Sequence, residues 1–314
     1  MSDWVEVPFE VQKPQDGLRV DAYLAKRLHK YSRSTVQKLI DDGQVFLAGR
    51  KVKPATRVAA GQTVIVRYPQ REEPPPAADR FAVLYEDDWL LAVDKPAYVL
   101  SHPTDKVIRN AATTILKNQF PALKLHLAHR LDRETSGVLL LAKDVPTASL
   151  LTHAFTGRAI KKEYAALAAG RVAWKRKLVD APIGDEGGEI RVRQTVGTGL
   201  PAVTEFELLS AGDAVSLVAA RPRTGRRHQI RVHLASVGHP VLGDKLYAGD
   251  GELYMKAVRK ELKPEELEAP RQMLHARILS MTHPITDKPL RVEAPLPADF
   301  LSRMKDEGLE APRA

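Results

Sequence analysis

"HRLDRETSGVLLLAK", residues 129–143, sets one aspartate between two arginines, closes on a turn at Thr135, Ser136 and Gly137, and enters an unbroken apolar run. Apolar residues in succession after a turn read as a strand buried on both faces. On an isolated surface loop, Asp132 beside Arg130 and Arg133 would be an exposed ion pair contributing about 1 kcal/mol or less. Here Gly137 permits close approach of backbone or ligand, and the run after it anchors the loop to a core. Ionisable groups on loops fixed by core strands are a common place for catalysis, which makes Asp132 the residue to explain.

Outward from this strand, the chain beyond residue 81 alternates strand-like runs with fewer helical ones. Segments 82–87, 90–96, 162–170, 202–210, 214–222 and 228–234 read as strands, and 111–119 and 146–155 as helices. The pattern is α+β, dominated by sheet. Residues 250–270 read as a surface helix between two strands. Upstream, three consecutive prolines in "QREEPPPAADR" (70–80) predict an extended spacer. The expected organisation is a first domain at 1–70, a linker at 71–80, a second domain at 81–306 and a tail at 307–314.

The first module spaces Val20, Tyr23, Leu24 and Leu28 at helical intervals. A second helix is expected to open with Ser34 and Gln37 in capping-box spacing, to present Val36, Leu39 and Ile40 on one face, and to stop at Gly43. Three short strands follow, in "QVFLA", "RKVK" and "TVIVRY". The net charge of +9 resides here: residues 11–71 hold thirteen Lys or Arg against four Asp. Lysines and arginines that neutralise phosphates release counterions, so this module fits a polyanion partner.

Two further stretches carry chemistry. "RPRTGRRHQIRVH" (221–233) packs five arginines and two histidines into thirteen residues, which calls for carboxylates, phosphates or solvent around them. Read as a strand, its end would turn Gln229, Arg231 and His233 to one face, Arg231 toward a facing carboxylate. Tyr164 begins a small-residue apolar strand, a place where a tyrosine is ordinarily core with a satisfied hydroxyl.

"HRLDRETSGVLLLAK" resembles the central motif of the RluA/RluD-type RNA pseudouridine synthases. Similar segments lie in order around it: "LLAVDKPAYVLSHP", "KKEYAALAAG", "TGRRHQIRVHLASVGHPVLGDKLY" and "RQMLHARILSMTHP". The first module resembles the RNA-binding domain of the ribosomal protein S-four type. The resemblance implies a helix-helix-hairpin RNA-binding module, then a catalytic domain with a central mixed, mostly antiparallel sheet flanked by helices. It implies isomerisation of uridine to pseudouridine in RNA, most readily large-subunit ribosomal RNA. Carried over by motif, Asp132 is the essential aspartate, Tyr164 the active-site tyrosine and Arg231 the active-site arginine. Arg130 and Arg133 are expected near the target nucleotide's phosphates, and Arg19, Arg33, Ser34, Lys38, Arg50 and Lys51 on the RNA. Tyr98, Leu200, Arg227 and Ala248 depart from the family's usual residues, and none coincides with the proposed catalytic three.

The chain has no cysteine, so disulfides, thiolate metal sites and cysteine nucleophiles are excluded. No nucleotide- or zinc-binding motif is found, and the expected chemistry needs neither metal nor cofactor. The opening "MSDWVEVPFEVQ" lacks a basic region followed by an apolar one, so a cytoplasmic protein is expected. Two rivals remain in view: a noncatalytic RNA- or ribosome-binding protein that retains the fold, and a metal-dependent nuclease using His126, His129 and Asp132.

Overall fold

The computed structural model describes residues 4–28, 31–69, 73, 75–104 and 107–310. The chain divides into two compact units, Met1–Glu72 and Glu73–Ala314.

In the first unit, β1 (Trp4–Glu10) precedes α1 (Val20–Arg27), α2 (Arg33–Asp41), β2 (Val45–Leu47), β3 (Arg50–Lys51) and β4 (Thr63–Pro69). The strands form one antiparallel sheet, ordered β1-β4-β2-β3. Val20, Tyr23 and Leu24 of α1 meet Val36 and Ile40 of α2 over Val45, Val64 and Val66, so the helical spacing read from sequence marks the buried face. β1 escaped that reading because its residues are at most half-buried, which leaves the apolar periodicity weak; pairing with β4 over seven positions defines it. The α2 cap is also displaced. Ser32 accepts the Thr35 amide at 3.2 Å in place of Ser34, and Gln37 reaches away to Asp21.

Asp21 is fully buried and accepts from Arg19, Arg33, Gln37 and the Ala22 amide. Two residues expected on RNA are therefore also structural, although the heads of Arg19 and Arg33 stay about half-exposed. Ser34, Lys38, Arg50 and Lys51 are exposed. Burial alone would raise the Asp21 carboxyl, but Arg19, Gln37 and Arg33 hold it well below the usual carboxylate range. Its contribution is therefore full above about pH 4 and is lost as pH falls. Asp21→Ala is expected to destabilise this unit by about 2–3 kcal/mol at neutral pH. Hydrogen exchange of the α1 and α2 amides should show that deficit shrinking by about 1.4 kcal/mol per pH unit below about pH 4; a deficit of equal size at pH 6 and pH 3 would contradict the ionic account.

The second unit begins with the hairpin β5 (Ala82–Glu86) and β6 (Leu90–Lys95), followed by α3 (Ala112–Gln119), β7 (His126–Leu127), β8 (Ser136–Ala142) and α4 (Val145–Thr156). Next come β9 (Lys161–Ala169), β10 (Arg176–Asp180), β11 (Ile183–Asp185), β12 (Gln194–Val196), β13 (Val203–Ala211), β14 (Val215–Pro222) and α5 (Gln229–Ser236). α6 (Glu252–Arg259), β15 (Leu274–Thr282), β16 (Pro289–Glu293) and α7 (Ala298–Asp306) complete it. Ten strands form a sheet whose main path is β10-β13-β14-β9-β15-β8-β6-β5. Every pairing in it is antiparallel except β15 with β8.

β8 is buried along its whole length. Leu139 and Leu141 pack with Ile115 and Leu116 of α3, while Val138 and Leu140 pack on the other face with Leu151 of α4. Each such leucine contributes about 2 kcal/mol of burial, enough to fix the register of the strand that follows the Asp132 loop. Gly137 is required where β8 meets β15: its φ is +110°, and a Cβ would lie 2.2 Å from the Ala276 carbonyl oxygen.

One expectation is corrected. Segment 228–234 is not a strand: Gln229–Ser236 is α5, with Ile230 and Leu234 packed in one cluster and Val232 in another. A short helix buried all round carries no amphipathic signature, and its residues match the strand template equally well. Within the expected spacer 71–80, Glu73 and Ala77 are tied to residues 108–110. The Glu73 carboxylate accepts the amides of Ile108, Arg109 and Asn110, and the Ala77 amide donates to the Asn110 side chain; residues 71, 72 and 74 lie outside the described residues. In the stretch expected as a tail, Leu309 is buried with Phe300 and Met304; residues 311–314 lie outside the described residues. Among the described residues no helix is long and apolar enough to cross a membrane.

Candidate active site

The loop preceding β8 is pinned residue by residue. Ser101 Oγ donates to the Leu131 carbonyl at 2.8 Å and accepts its amide at 2.9 Å. The Arg133 and Glu134 carbonyls accept from the buried Lys95 and Arg271. Gln272 donates to Thr135 Oγ1 at 2.8 Å, and Ser136 Oγ lies 2.9 Å from His275 Nδ1. His129 Nε2 accepts the Leu140 amide. With its backbone so held, the loop presents the Asp132 side chain to a cleft of about 810 Å³.

Across that cleft stands Arg231, whose Nη1 donates to Asp132 Oδ2 at 2.9 Å. The same guanidinium grips Asp244 as a fork, Nε to Oδ2 at 2.6 Å and Nη2 to Oδ1 at 2.8 Å, and lies over the Tyr247 ring at 5.1 Å. Asp244 is buried and also accepts the amides of Leu246 and Tyr247. The arginine is thus fixed from behind by one carboxylate and offers its remaining edge to the other, which is 26% exposed. Burial by itself would raise the Asp132 carboxyl; Arg231 above all, with Arg130, outweighs it and holds the group below the ordinary carboxylate range, ionised at neutral pH.

His228 stands beside this pair, Nε2 4.0 Å from Asp132 Oδ2. The Gln194 amide donates to Tyr247 Oη at 3.0 Å, and the same oxygen lies 2.9 Å from His228 Nδ1. With Nδ1 engaged by Tyr247, Nε2 is the ring nitrogen that faces Asp132. Burial and the neighbouring Arg231 lower the His228 pKa to about 4, so the ring is neutral. Tyr164 lines the same cleft from β9, packed against the clusters on both sides. Burial and then Asp132 push its phenol upward, so it is a neutral hydroxyl on an aromatic face and not a phenolate base.

The structure therefore brings Asp132, Tyr164 and Arg231 into one cleft. Arg130 lines it as well, whereas Arg133 does not: its exposed side chain lies off the lining, and its carbonyl is held by Lys95. Of the four departures from the family pattern, Arg227 alone lines the cleft. Tyr98 takes the left-handed backbone, φ +66°, that favours glycine at that place, and its hydroxyl donates to the Pro270 carbonyl. Among the described residues no three His, Asp or Glu side chains converge as a metal cradle. Asp244, Tyr247 and His228 went unassigned from sequence. One signal pointed to Asp244: a buried guanidinium has five donors and requires more acceptors than Asp132 alone supplies.

Residues 89–236 match the family model of RNA pseudouridylate synthase and 18–64 match the S4 domain, which makes the chain an RNA-modifying enzyme. The chain belongs to the RluA/RluD-type family of RNA pseudouridine synthases. It is 32% identical over 312 residues to the ribosomal large subunit pseudouridine synthase D of Pseudomonas aeruginosa, covering 96% of this chain and 95% of that one. It is 35% identical over 277 residues to the uncharacterized RNA pseudouridine synthase YjbO of Bacillus subtilis, covering 84% and 91%. The fold is similar to human RNA pseudouridylate synthase domain containing 4, with TM-score 0.60 and 29% identity over 74% of this chain and 95% of that one.

Proposed function

We propose that this enzyme converts particular uridines of large-subunit ribosomal RNA to pseudouridine, with Asp132 as the reacting group, Arg231 as its counter-ion and Tyr164 against the uracil. The observation that carries this reading is an ionised carboxylate held at 2.9 Å by a doubly anchored guanidinium, at the wall of a cleft large enough for an extruded nucleotide. The isomerisation breaks N1–C1′ and forms C5–C1′; the C5 proton leaves, and N1 gains one. No electrons are exchanged with an outside partner. An ionised carboxylate serves this chemistry as nucleophile or as base, and both roles require the low pKa that Arg231 maintains. Tyr164 supplies a stacking face and a neutral hydroxyl. Arg130 and Arg227 offset the cost of unstacking the target, a few kcal/mol, by attracting its phosphates.

The choice of ribosomal RNA rests on the names of the relatives at 96% coverage and on the basic S4 unit, whose Ser34, Lys38, Arg50 and Lys51 are exposed. Pseudouridine mapping of ribosomal RNA from cells with and without the gene tests it. One or a few large-subunit positions should disappear and return with the wild-type gene. An unchanged large-subunit map, with changes in transfer RNA instead, would redirect the substrate.

A further inference from the structure

We propose that Lys162 is a phosphate-binding residue of the substrate cleft, its ammonium kept without a counter-ion among the described residues so that an RNA phosphate supplies one. The proposal rests on RNA being the substrate of this cleft and deepens that reading. Lys162 and Tyr164 lie two residues apart on β9 and both line the cleft, while Glu163 between them turns to the other face and pairs with Arg221. Lys162 is half-buried. Its ammonium has one partner among the described residues, the Thr224 carbonyl at a long 3.4 Å, and no carboxylate within ion-pair distance. It lies beneath the loop before α5: a Cβ built on Gly225 would be 3.8 Å from Nζ.

Neighbouring ring nitrogens do not compensate the charge. His129 is neutral, its pKa lowered to about 3 by burial and by Lys162 itself, and its Nε2 is occupied by the Leu140 amide. Among the described residues lining the cleft, Asp132 is the only carboxylate, and Arg231 already holds it. The remaining charged lining is basic: Arg130, Arg158, Arg223, Arg226 and Arg227. Burial pulls the Lys162 pKa down with no opposing carboxylate, the signature of a cation that costs the empty protein stability. A surface lysine would escape that cost by extending into water, but the strand register holds this one beside the catalytic face. A phosphate against it would restore the balance, and the loop carrying Gly225 leaves room for close approach.

The test compares the wild-type chain with Lys162→Met and Lys162→Arg, each carrying Asp132→Asn so that RNA is not turned over, binding transcribed large-subunit ribosomal RNA over a range of salt. Loss of one phosphate contact should flatten the log–log salt slope by about 0.7–0.9 and weaken binding roughly tenfold at moderate salt, with Lys162→Arg retaining both. Without RNA, Lys162→Met should melt at the same or a higher temperature, and millimolar inorganic phosphate should raise the melting temperature of the lysine form more than that of the methionine form. A structural lysine would instead lower it. An unchanged salt slope overturns the assignment whatever the melting temperatures show; should Lys162→Met not fold, the same slope measured on Lys162→Gln decides. Because this readout is binding, it remains decisive even if the wild-type enzyme forms no pseudouridine.

Discussion

Asp132→Asn is expected to reduce pseudouridine formation by about a thousandfold or more, measured as tritium release from RNA labelled at uridine C5, while RNA affinity and melting temperature change little. The substitution keeps the shape of the side chain and removes the charge. What makes the expectation sharp is the second anchor on Arg231. Breaking a buried ion pair ordinarily costs about 3–5 kcal/mol, because the surviving charge is left uncompensated. Here Asp244 still holds the guanidinium through two hydrogen bonds, and Asp132 is itself a quarter exposed. Stability should therefore move by about 1 kcal/mol or less, separating the chemical role of the residue from any structural one. Neutralising Lys38, Arg50 and Lys51 is the complementary manipulation: it should weaken and flatten salt-dependent binding and leave turnover of bound RNA intact. If Asp132→Asn loses binding in proportion to activity, the carboxylate is an RNA contact or a structural group and the chemistry must be sought elsewhere in the cleft.

The strand behind that aspartate was readable because five apolar residues after a glycine turn admit few alternatives, and both faces of β8 are buried. The helices of the basic unit were readable for a related reason, since Val20, Tyr23, Leu24, Val36 and Ile40 repeat at helical spacing and enter one core. Arg231 was identified in the wrong element. The first six residues of α5, 229–234, are all buried, and Gln229 satisfies four neighbours, accepting from Thr224 and the Arg226 amide and donating to Val203 and Thr204. Such all-round burial erases the period that distinguishes helix from strand. β15 was hidden differently. His275 and Arg277 interrupt an apolar stretch in a buried strand, and they are tolerated because His275 meets Ser136 and Arg277 pairs with Glu293. Partners of that kind come from more than a hundred residues away or from the next strand, so no local window contains them. The same distance concealed the supports of the Asp132 loop: Ser101, Lys95, Arg271 and Gln272 each look unremarkable in their own neighbourhoods.

Asp244→Asn should produce the opposite combination of effects. Asp244 has no access to the cleft, being 1% exposed, yet its carboxylate accepts four hydrogen bonds, two from Arg231 and two from the Leu246 and Tyr247 amides. An asparagine has one acceptor oxygen and would turn an amide N–H toward a guanidinium that has no acceptor to offer. The loss should approach 3–5 kcal/mol, a fall in melting temperature on the order of 10 °C for a unit of this size. Activity should fall as well, by about a hundredfold at temperatures where the variant remains folded, since a displacement of about 1 Å at a reacting group is enough for that. Arg231, released from its rear anchor, would close onto Asp132, and the Tyr247 hydroxyl that meets His228 would shift with the loop. Measured together, the two aspartates discriminate the roles: Asp132→Asn should be inactive and stable, Asp244→Asn unstable and partly active. The reverse pattern would make Asp244 the reacting carboxylate and Asp132 its support, which the burial of Asp244 makes chemically untenable only if the cleft stays closed to it when RNA binds; footprinting the Asp244 loop by hydrogen exchange with and without RNA would expose any such opening.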